Sequence, residues 1–312
     1  MIGKLLNNNP TVKITIKGNP ALENYTKNYS NLDYPAFLKD DVVEGHLEVI
    51  LPPGKPDSHR GINLTIYGQF TTKNGDVLSR FFERTQTLAP PGELSSPMDM
   101  DFSFDKLDFP VSSYYGPNTN VEYGIEFKVI HRIVDFKETA QFLVFLFSHE
   151  NDPQPIHNEI GMTNILHIEF IFPKSDFDCH ECVIGRAYFI LVKLKVVHMN
   201  VSLYCVENYE NGGKYIKERT IVDTVELMDG APVRGDHIPI RYFLGSKDIW
   251  PFIAWKGSPL KVEYYLRAQM IDENGKKYYK RLKVNIIRRK PEEIQKDDQD
   301  EKKSGGEEED AK

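Results

Sequence analysis

Alternation of apolar and polar residues, repeated in segment after segment, is the feature that most restricts what this 312-residue chain can fold into. "VEYGIEFKV" puts Val121, Tyr123, Ile125, Phe127 and Val129 on one face, and "LHIEFIF" does the same with Leu166, Ile168, Phe170 and Phe172. "ILVKLKV" is expected to bury Ile190, Val192, Leu194 and Val196 and to expose Lys193 and Lys195. "VEYYLRAQM" aligns Val262, Tyr264, Leu266, Ala268 and Met270. A period of two is the signature of strands with one face on a core and one in water, as in antiparallel sheets. Asn74-Gly75 and Asn274-Gly275 supply hairpin turns, because the backbone there takes positive φ cheaply. No long amphipathic helix interrupts the pattern. Many short strands separated by turn signals predict an all-β chain of β-sandwiches.

The strands also echo one another. "VVEGHLEVIL" (42–51) is similar to "CVIGRAYFIL" (182–191), with Gly45 matching Gly185, and "VEYGIEFKV" is similar to "VEYYLRAQM", with Val121 matching Val262. Nearly one offset serves both, which predicts two similar halves. The division is expected at 1–150 for an N-terminal sandwich, 151–158 for a polar, proline-bearing linker, and 159–290 for a C-terminal sandwich. Residues 291–312 carry ten acids and four lysines with almost no apolar residues, so a disordered acidic tail is expected there.

The tail accounts for most of the net charge of −7, leaving the body close to neutral. A near-neutral body offers no overall footprint for nucleic acid or an anionic membrane. Three cysteines (Cys179, Cys182 and Cys205) are too few for a disulfide scaffold and fit a reducing compartment. The apolar run in "MIGKLLNNNP" is too short for a signal-peptide core, and no apolar run approaches a membrane span. The expectation is a cytoplasmic chain.

Both tryptophans fall in "RYFLGSKDIWPFIAW" (241–255), a stretch with neither helical nor strand period. If Pro110 and Pro239 correspond, the second half carries an insertion of about twelve residues at this point. Trp250, Phe252 and Trp255 would then lie outside the repeated core, either as anchors for a partner or folded back on their own sandwich.

Catalytic motifs are missing. There is no G-x-S-x-G, no G-x-x-x-x-G-K-[ST] and no G-x-G-x-x-G. His149, His157, His167, His180 and His198 gather around Cys179 and Cys182, but a lone C-x-x-C without a second pair falls short of a structural zinc site. No metal, no cofactor and no enzymatic activity are expected. In "KKYYKRLKV", Lys276, Lys277, Lys280, Arg281 and Lys283 with Tyr278 and Tyr279 would suit a single-stranded nucleic acid. The alternation favours a charged strand edge that resists edge-to-edge pairing.

Five longer stretches carry a resemblance. "LHIEFIFPKSDFDCHECVIGRAYFILVKLKVVHM" (166–199), "ELMDGAPVRGDHIPIRYFL" (226–244) and "VEYYLRAQMIDENGKKYYKRLKVNIIRRK" (262–290) closely resemble the arrestin-like small subunit of retromer, the vacuolar protein sorting 26 family, and "LAPPGELSSPMDMDFSF" (88–104) followed by "SYYGPNTNVEYGIEF" (113–127) fits the same family. The resemblance covers most of residues 40–290. It implies two tandem antiparallel β-sandwiches and a non-enzymatic coat and adaptor subunit, cytoplasmic and peripheral on endosomes. Such a subunit binds the N-terminal end of the α-solenoid retromer subunit and helps retrieve transmembrane cargo toward the Golgi or plasma membrane.

By the same resemblance, the solenoid contact falls on Leu227 and Met228, where the family has isoleucine–methionine, and on the loop with Ile249, Trp250 and Phe252, with Trp255 beside it. Cargo sorting motifs would add along a strand, aided by a sorting nexin of the phox-homology type. The pocket for an apolar motif side chain would be formed by Ile160 and Tyr279, where the family usually has valine and phenylalanine. A second nexin site on the first sandwich of animal members is not expected: Phe147 replaces its leucine, and "KDDV" (39–42) gives no clear register for its aspartate. Membrane association is expected to be indirect. The rival is another arrestin-like trafficking adaptor, of which ligase-recruiting members show P-P-x-Y; this chain has adjacent prolines at Pro52–Pro53 and Pro90–Pro91 and no such motif. A β-sandwich enzyme or glycan-binding module is a further rival, which a metal or a cleft of convergent acids would favour.

Overall fold

The computed structural model describes residues 10–290, apart from 30, 53, 55, 149–153, 254 and 256. The acidic tail and the middle of the expected linker lie outside the described residues. Two compact units are present. Among the described residues, the first comprises those up to Tyr115 together with Thr119–Leu146; the second comprises Gly116–Asn118 and those from Phe147 on.

The first unit runs through β1 (Thr11–Lys17), a short helix α1 (Glu23–Tyr29), β2 (Ala36–Phe37), β3 (Val43–Ile50), β4 (Asp57–His59), β5 (Gly61–Thr72), β6 (Val77–Ala89), β7 (Gly92–Leu94), β8 (Met98–Phe104), β9 (Tyr114–Tyr115), β10 (Thr119–Ile130) and β11 (Phe136–Val144). One sheet has the order β1-β3-β8 and the other β2-β11-β10-β5-β6, with β9 beside β10 and a small β4-β7 pair apart. The alternation of β10 is realised in full: Val121, Tyr123, Ile125, Phe127 and Val129 are all completely buried. Tyr123 lies 5.1 Å from Phe109 and 5.8 Å from Phe142 between ring centroids, an aromatic cluster at contact distances that stabilise beyond area burial.

The second unit comprises β12 (Ile156–Met162), β13 (Leu166–Phe172), β14 (Asp176–Asp178), β15 (Cys182–Val192), β16 (Val196–Asn211), β17 (Lys214–Asp229), β18 (His237–Phe243), β19 (Leu260–Asp272) and β20 (Lys277–Ile287). Its sheets have the orders β12-β13-β15-β18 and β14-β20-β19-β16-β17. Leu166, Ile168, Phe170 and Phe172 from one sheet share a single core with Leu203, Leu266, Ala268 and Met270 from the other. The Asn74-Gly75 and Asn274-Gly275 turns close β5–β6 and β19–β20, with φ of +90° and +78° at the two glycines.

The internal repeat is visible strand by strand. In each unit a two- or three-residue strand pairs in parallel with the last strand, Ala36–Phe37 on β11 and Asp176–Asp178 on β20. In each, β10 or β19 is central in the larger sheet, and β3 or β15 is flanked on both sides in the smaller one. The second unit adds β12 as an extra edge.

Three expectations need correction. First, 190–196 is no single strand: β15 ends at Val192, β16 begins at Val196, and Ile190 is 44% exposed. Val183, Ala187 and Phe189 fill the inner face of β15; the ladder then skips Ile190 at a register irregularity, which leaves Ile190 outward and returns Val192 to the core side. Second, residues 156–158 of the expected linker are the start of β12. Third, the Trp-rich stretch is no insertion. The connection from β18 to β19 spans 244–259 and its counterpart from β8 to β10 spans 105–118, nearly the same length. Pro239 sits inside β18 while Pro110 follows β8, so the two prolines do not correspond.

Candidate functional site

Leu227 and Met228 lie near the end of β17, the edge strand of the larger sheet. The ladder pairs Met199 with Met228 and Asn200 with Glu226, so Leu227 is the extra residue of a β-bulge. A bulge bends the strand and re-aims a side chain. Here two consecutive apolar residues are both half-buried against the core instead of one in and one out. Beyond them the chain turns through Gly230 and Gly235, both at positive φ, and presents Val233 at 69% exposure.

The Trp-rich connection folds back on its own sandwich at Ile249 and Trp250, which are 6% and 3% exposed. The Trp250 indole N–H donates to Asp248 Oδ1 at 2.9 Å, its backbone carbonyl accepts from the Tyr264 hydroxyl at 3.0 Å, and the Arg288 guanidinium lies 5.4 Å from its ring centroid. Phe252 and Trp255 are half-buried, while Ile253 is exposed. The start of the connection is tied to β17 by Lys247, 2.6 Å from Asp223, and that bond holds the Asp223 carboxyl below the usual carboxylate range.

Leu227 and Met228 therefore do not form one continuous patch with Trp250. Trp250 packs at the level of Tyr264, and Met228 shares its level with Met199 and Met270. Six residues of strand separate these levels, roughly 20 Å. The connection reaches β17 through Lys247 at Asp223, four residues before Leu227. Ile253, outside the set assigned to the solenoid contact, is an exposed apolar side chain of the connection; aperiodic chain gives no signal for which side chain faces out.

Ile160 lies on β12, the outer edge of the smaller sheet, and is 8% exposed with its side chain in the core. Tyr279 lies on β20, at a stretch that pairs only with β19, and is 49% exposed. The two strands run close to each other, but Ile160 faces inward and Tyr279 faces out. The Tyr279 ring is covered by Arg267, 4.2 Å from its centroid, and Arg281 at 5.6 Å. Sequence patterning did not single out Arg267, although its place on the outward phase of β19 follows from the alternation.

Two donor clusters lie elsewhere in this unit: Asp178 with Cys179 and His180, and Glu159 with His167 and Glu169. In the first, Asp178 accepts from the His180 backbone at 2.9 Å, from the His180 ring at 3.1 Å and from the Arg289 backbone at 2.8 Å. The arrangement is a turn clamp that satisfies buried backbone groups. Burial pushes the Cys179 thiol up to about 12, so it is no thiolate at neutral pH.

The profile of the family described as vacuolar protein sorting-associated protein 26 matches residues 9–275. The chain belongs to that family. It is 31% identical over 272 residues to vacuolar protein sorting-associated protein 26B of Danio rerio, covering 86% of this chain and 82% of the relative. It is 31% identical over 261 residues to vacuolar protein sorting-associated protein 26 of Caenorhabditis elegans, covering 82% and 73%, and 31% identical over 272 residues to vacuolar protein sorting-associated protein 26B-B of Xenopus laevis, covering 86% and 80%. Membership in the vacuolar protein sorting 26 family agrees with the nearly all-β, doubled sandwich architecture and gives the chain a role in vacuolar protein sorting. No described helix is long and apolar enough to cross a membrane.

Proposed function

We propose that this chain is a non-enzymatic retromer coat and adaptor subunit. It binds the N-terminal end of the α-solenoid retromer subunit and helps select and retrieve transmembrane cargo between endosomes and the Golgi or plasma membrane. Its membrane association is indirect, through partners. The observation that carries the reading is the bulged edge of β17, where Leu227 and Met228 are both half-exposed beside the open Val233 turn. Apolar side chains at a bulged edge suit a protein contact, because the bulge blocks indiscriminate strand pairing while the side chains remain available. Ile253 is a separate exposed apolar side chain on the connection after β18; Ile249 and Trp250 hold that connection in place from within.

Cargo would be met at the β12 edge. A strand with one side unpaired among the described residues accepts an extended peptide by backbone hydrogen bonds; the outward Tyr279 would meet a motif side chain, Ile160 would support the strand from the core, and a phox-homology sorting nexin would assist. Calorimetry of the full chain with the solenoid subunit of its own organism tests the reading. Tight binding that Leu227→Asp/Met228→Asn abolishes supports it. A folded wild-type chain that does not bind overturns it in favour of a different arrestin-like trafficking adaptor.

A further inference from the structure

The outer face of the larger sheet in the second unit holds a cavity of about 140 Å³ lined by Tyr204 and Val206 of β16, Lys217 and Arg219 of β17, Tyr265 of β19 and Arg281 of β20. We propose that this cavity is an anion site that takes a phosphate monoester group. Three cations, Lys217, Arg219 and Arg281, line it, and none is paired with a carboxylate among the described residues. Glu218, between the first two, points to the opposite strand face. Glu263, on the same face as the cavity, is held by Lys261 and Lys283, each at 3.1 Å. Three like charges gathered without a counter-charge repel one another, and a bound dianion reverses the sign of that interaction.

The hydrogen-bonding groups point the same way. Arg267 donates to the Tyr204 hydroxyl at 2.8 Å and to Gln269 Oε1 at 2.6 Å, and its guanidinium lies over Tyr279. Tyr204 thus accepts from a fixed donor and keeps its own proton to give. Tyr265 stands directly opposite Tyr204 in the ladder and brings a second hydroxyl. Edge protection accounts for Lys217 and Arg219 on β17 and for Arg281 on the stretch of β20 that pairs only with β19, but not for the tyrosines of β16 and β19, which lie inside the sheet. A carboxylate would bring one charge to three cations. A phosphate monoester brings close to two at neutral pH, with three acceptor oxygens suited to two arginine forks.

The test titrates the full chain at constant ionic strength with glycerol phosphate, following amide resonances, and repeats it by co-sedimentation with phosphatidylcholine vesicles with and without phosphatidylinositol monophosphate. Saturable shifts around 204–206, 217–219, 265–267 and 281 are expected. Arg219→Gln/Arg281→Gln should weaken binding about tenfold or more at unchanged thermal midpoint. Lys217→Gln, on the exposed edge, repeats the test without touching the stack on Tyr279. Vesicle binding lost in the same variants assigns the phosphate to a lipid headgroup and replaces the indirect membrane association proposed above with a direct one; binding of glycerol phosphate alone assigns a soluble source and leaves that association indirect. Shifts that chloride reproduces, no saturation, or variants that bind as well as wild type would overturn the site.

Discussion

The Tyr264 hydroxyl donates to the backbone carbonyl of Trp250 at 3.0 Å, and the Tyr123 hydroxyl donates to that of Val111 at 2.6 Å. The two tyrosines occupy equivalent places on β19 and β10, and both pin the connection that arrives from the other sheet. That pairing explains why large apolar residues collect in an aperiodic stretch. Each connection crosses from one sheet to the other and covers the core as it goes, with Ile249 and Trp250 in one unit and Phe109 and Val111 in the other. Removing either hydroxyl leaves a buried carbonyl without its partner. Tyr264→Phe and Tyr123→Phe should each cost about 1–3 kcal/mol. Both tryptophans lie in the second unit, so urea unfolding followed by tryptophan fluorescence should register the first substitution and miss the second, which far-ultraviolet circular dichroism should detect.

Gly45 and Gly185 seat aromatic rings. A Cβ on Gly45 would meet Phe102, and one on Gly185 would meet Phe172, in both cases well under 3.0 Å from ring atoms. Phe102 and Phe172 are themselves buried, so the rings have little room to move. Gly45→Ala and Gly185→Ala should each destabilise by about 1–3 kcal/mol through overpacking. Gly161, where a Cβ would meet nothing, is the control: Gly161→Ala should leave the unfolding midpoint nearly unchanged.

Much of this architecture was legible in the sequence, and the reason is physical. Half-buried strands must alternate, so β10, β13 and β19 announce themselves, and the Gly45–Gly185 echo survives because only glycine leaves space for the ring beside it. What was lost lies where no period operates. The bulge at Leu227 breaks alternation, so the period gives no sign that Leu227 and Met228 share one side of the strand. The buried state of Trp250 depends on Tyr264 and Arg288, neither of them near it in sequence. The polar outward face of β12 reads as linker. The anion cavity draws on four strands, and no local window contains it.

Asp178 links acid sensitivity to the second unit. Burial alone would raise its carboxyl, but bonds from the His180 ring and from the backbone of Arg289 and His180 outweigh it and hold the group below its ordinary value. A depressed carboxylate contributes stability that is fully present above the unfolded value and fades as pH falls through the folded one. The stability gap between wild type and Asp178→Asn should therefore be largest at neutral pH and close below about pH 4. A gap that stays constant from neutral to acid pH would contradict this assignment.

The three cysteines should separate by reactivity. Cys179 and Cys205 are buried, and Cys179 is held as a thiol by its surroundings, whereas Cys182 is partly open at the start of β15. Iodoacetamide at mildly alkaline pH should label Cys182 first in the native chain, with Cys179 and Cys205 reacting only as the second unit unfolds. Peptide mass spectrometry after timed quenching reads the order directly. Early labelling of Cys179 would show that the Asp178 turn opens in the native state.

The sharpest separation between packing and partner contact is within the residues assigned to the solenoid surface. Trp250 is 3% exposed and tied at its indole, its carbonyl and its ring face. Trp250→Ala should cost the second unit about 3–5 kcal/mol of stability. At temperatures where the variant stays folded, its affinity for the solenoid subunit should change little. Leu227 and Met228 are half-exposed on a bulged edge, and polar replacement there should behave in the opposite way. Leu227→Asp/Met228→Asn should lose about thirtyfold or more in affinity, with a smaller effect on the unfolding midpoint than Trp250→Ala. Measuring both quantities on both variants gives a two-by-two comparison. If Trp250→Ala lost binding while remaining as stable as wild type, the connection would have to open on association, and its buried face would be part of the contact.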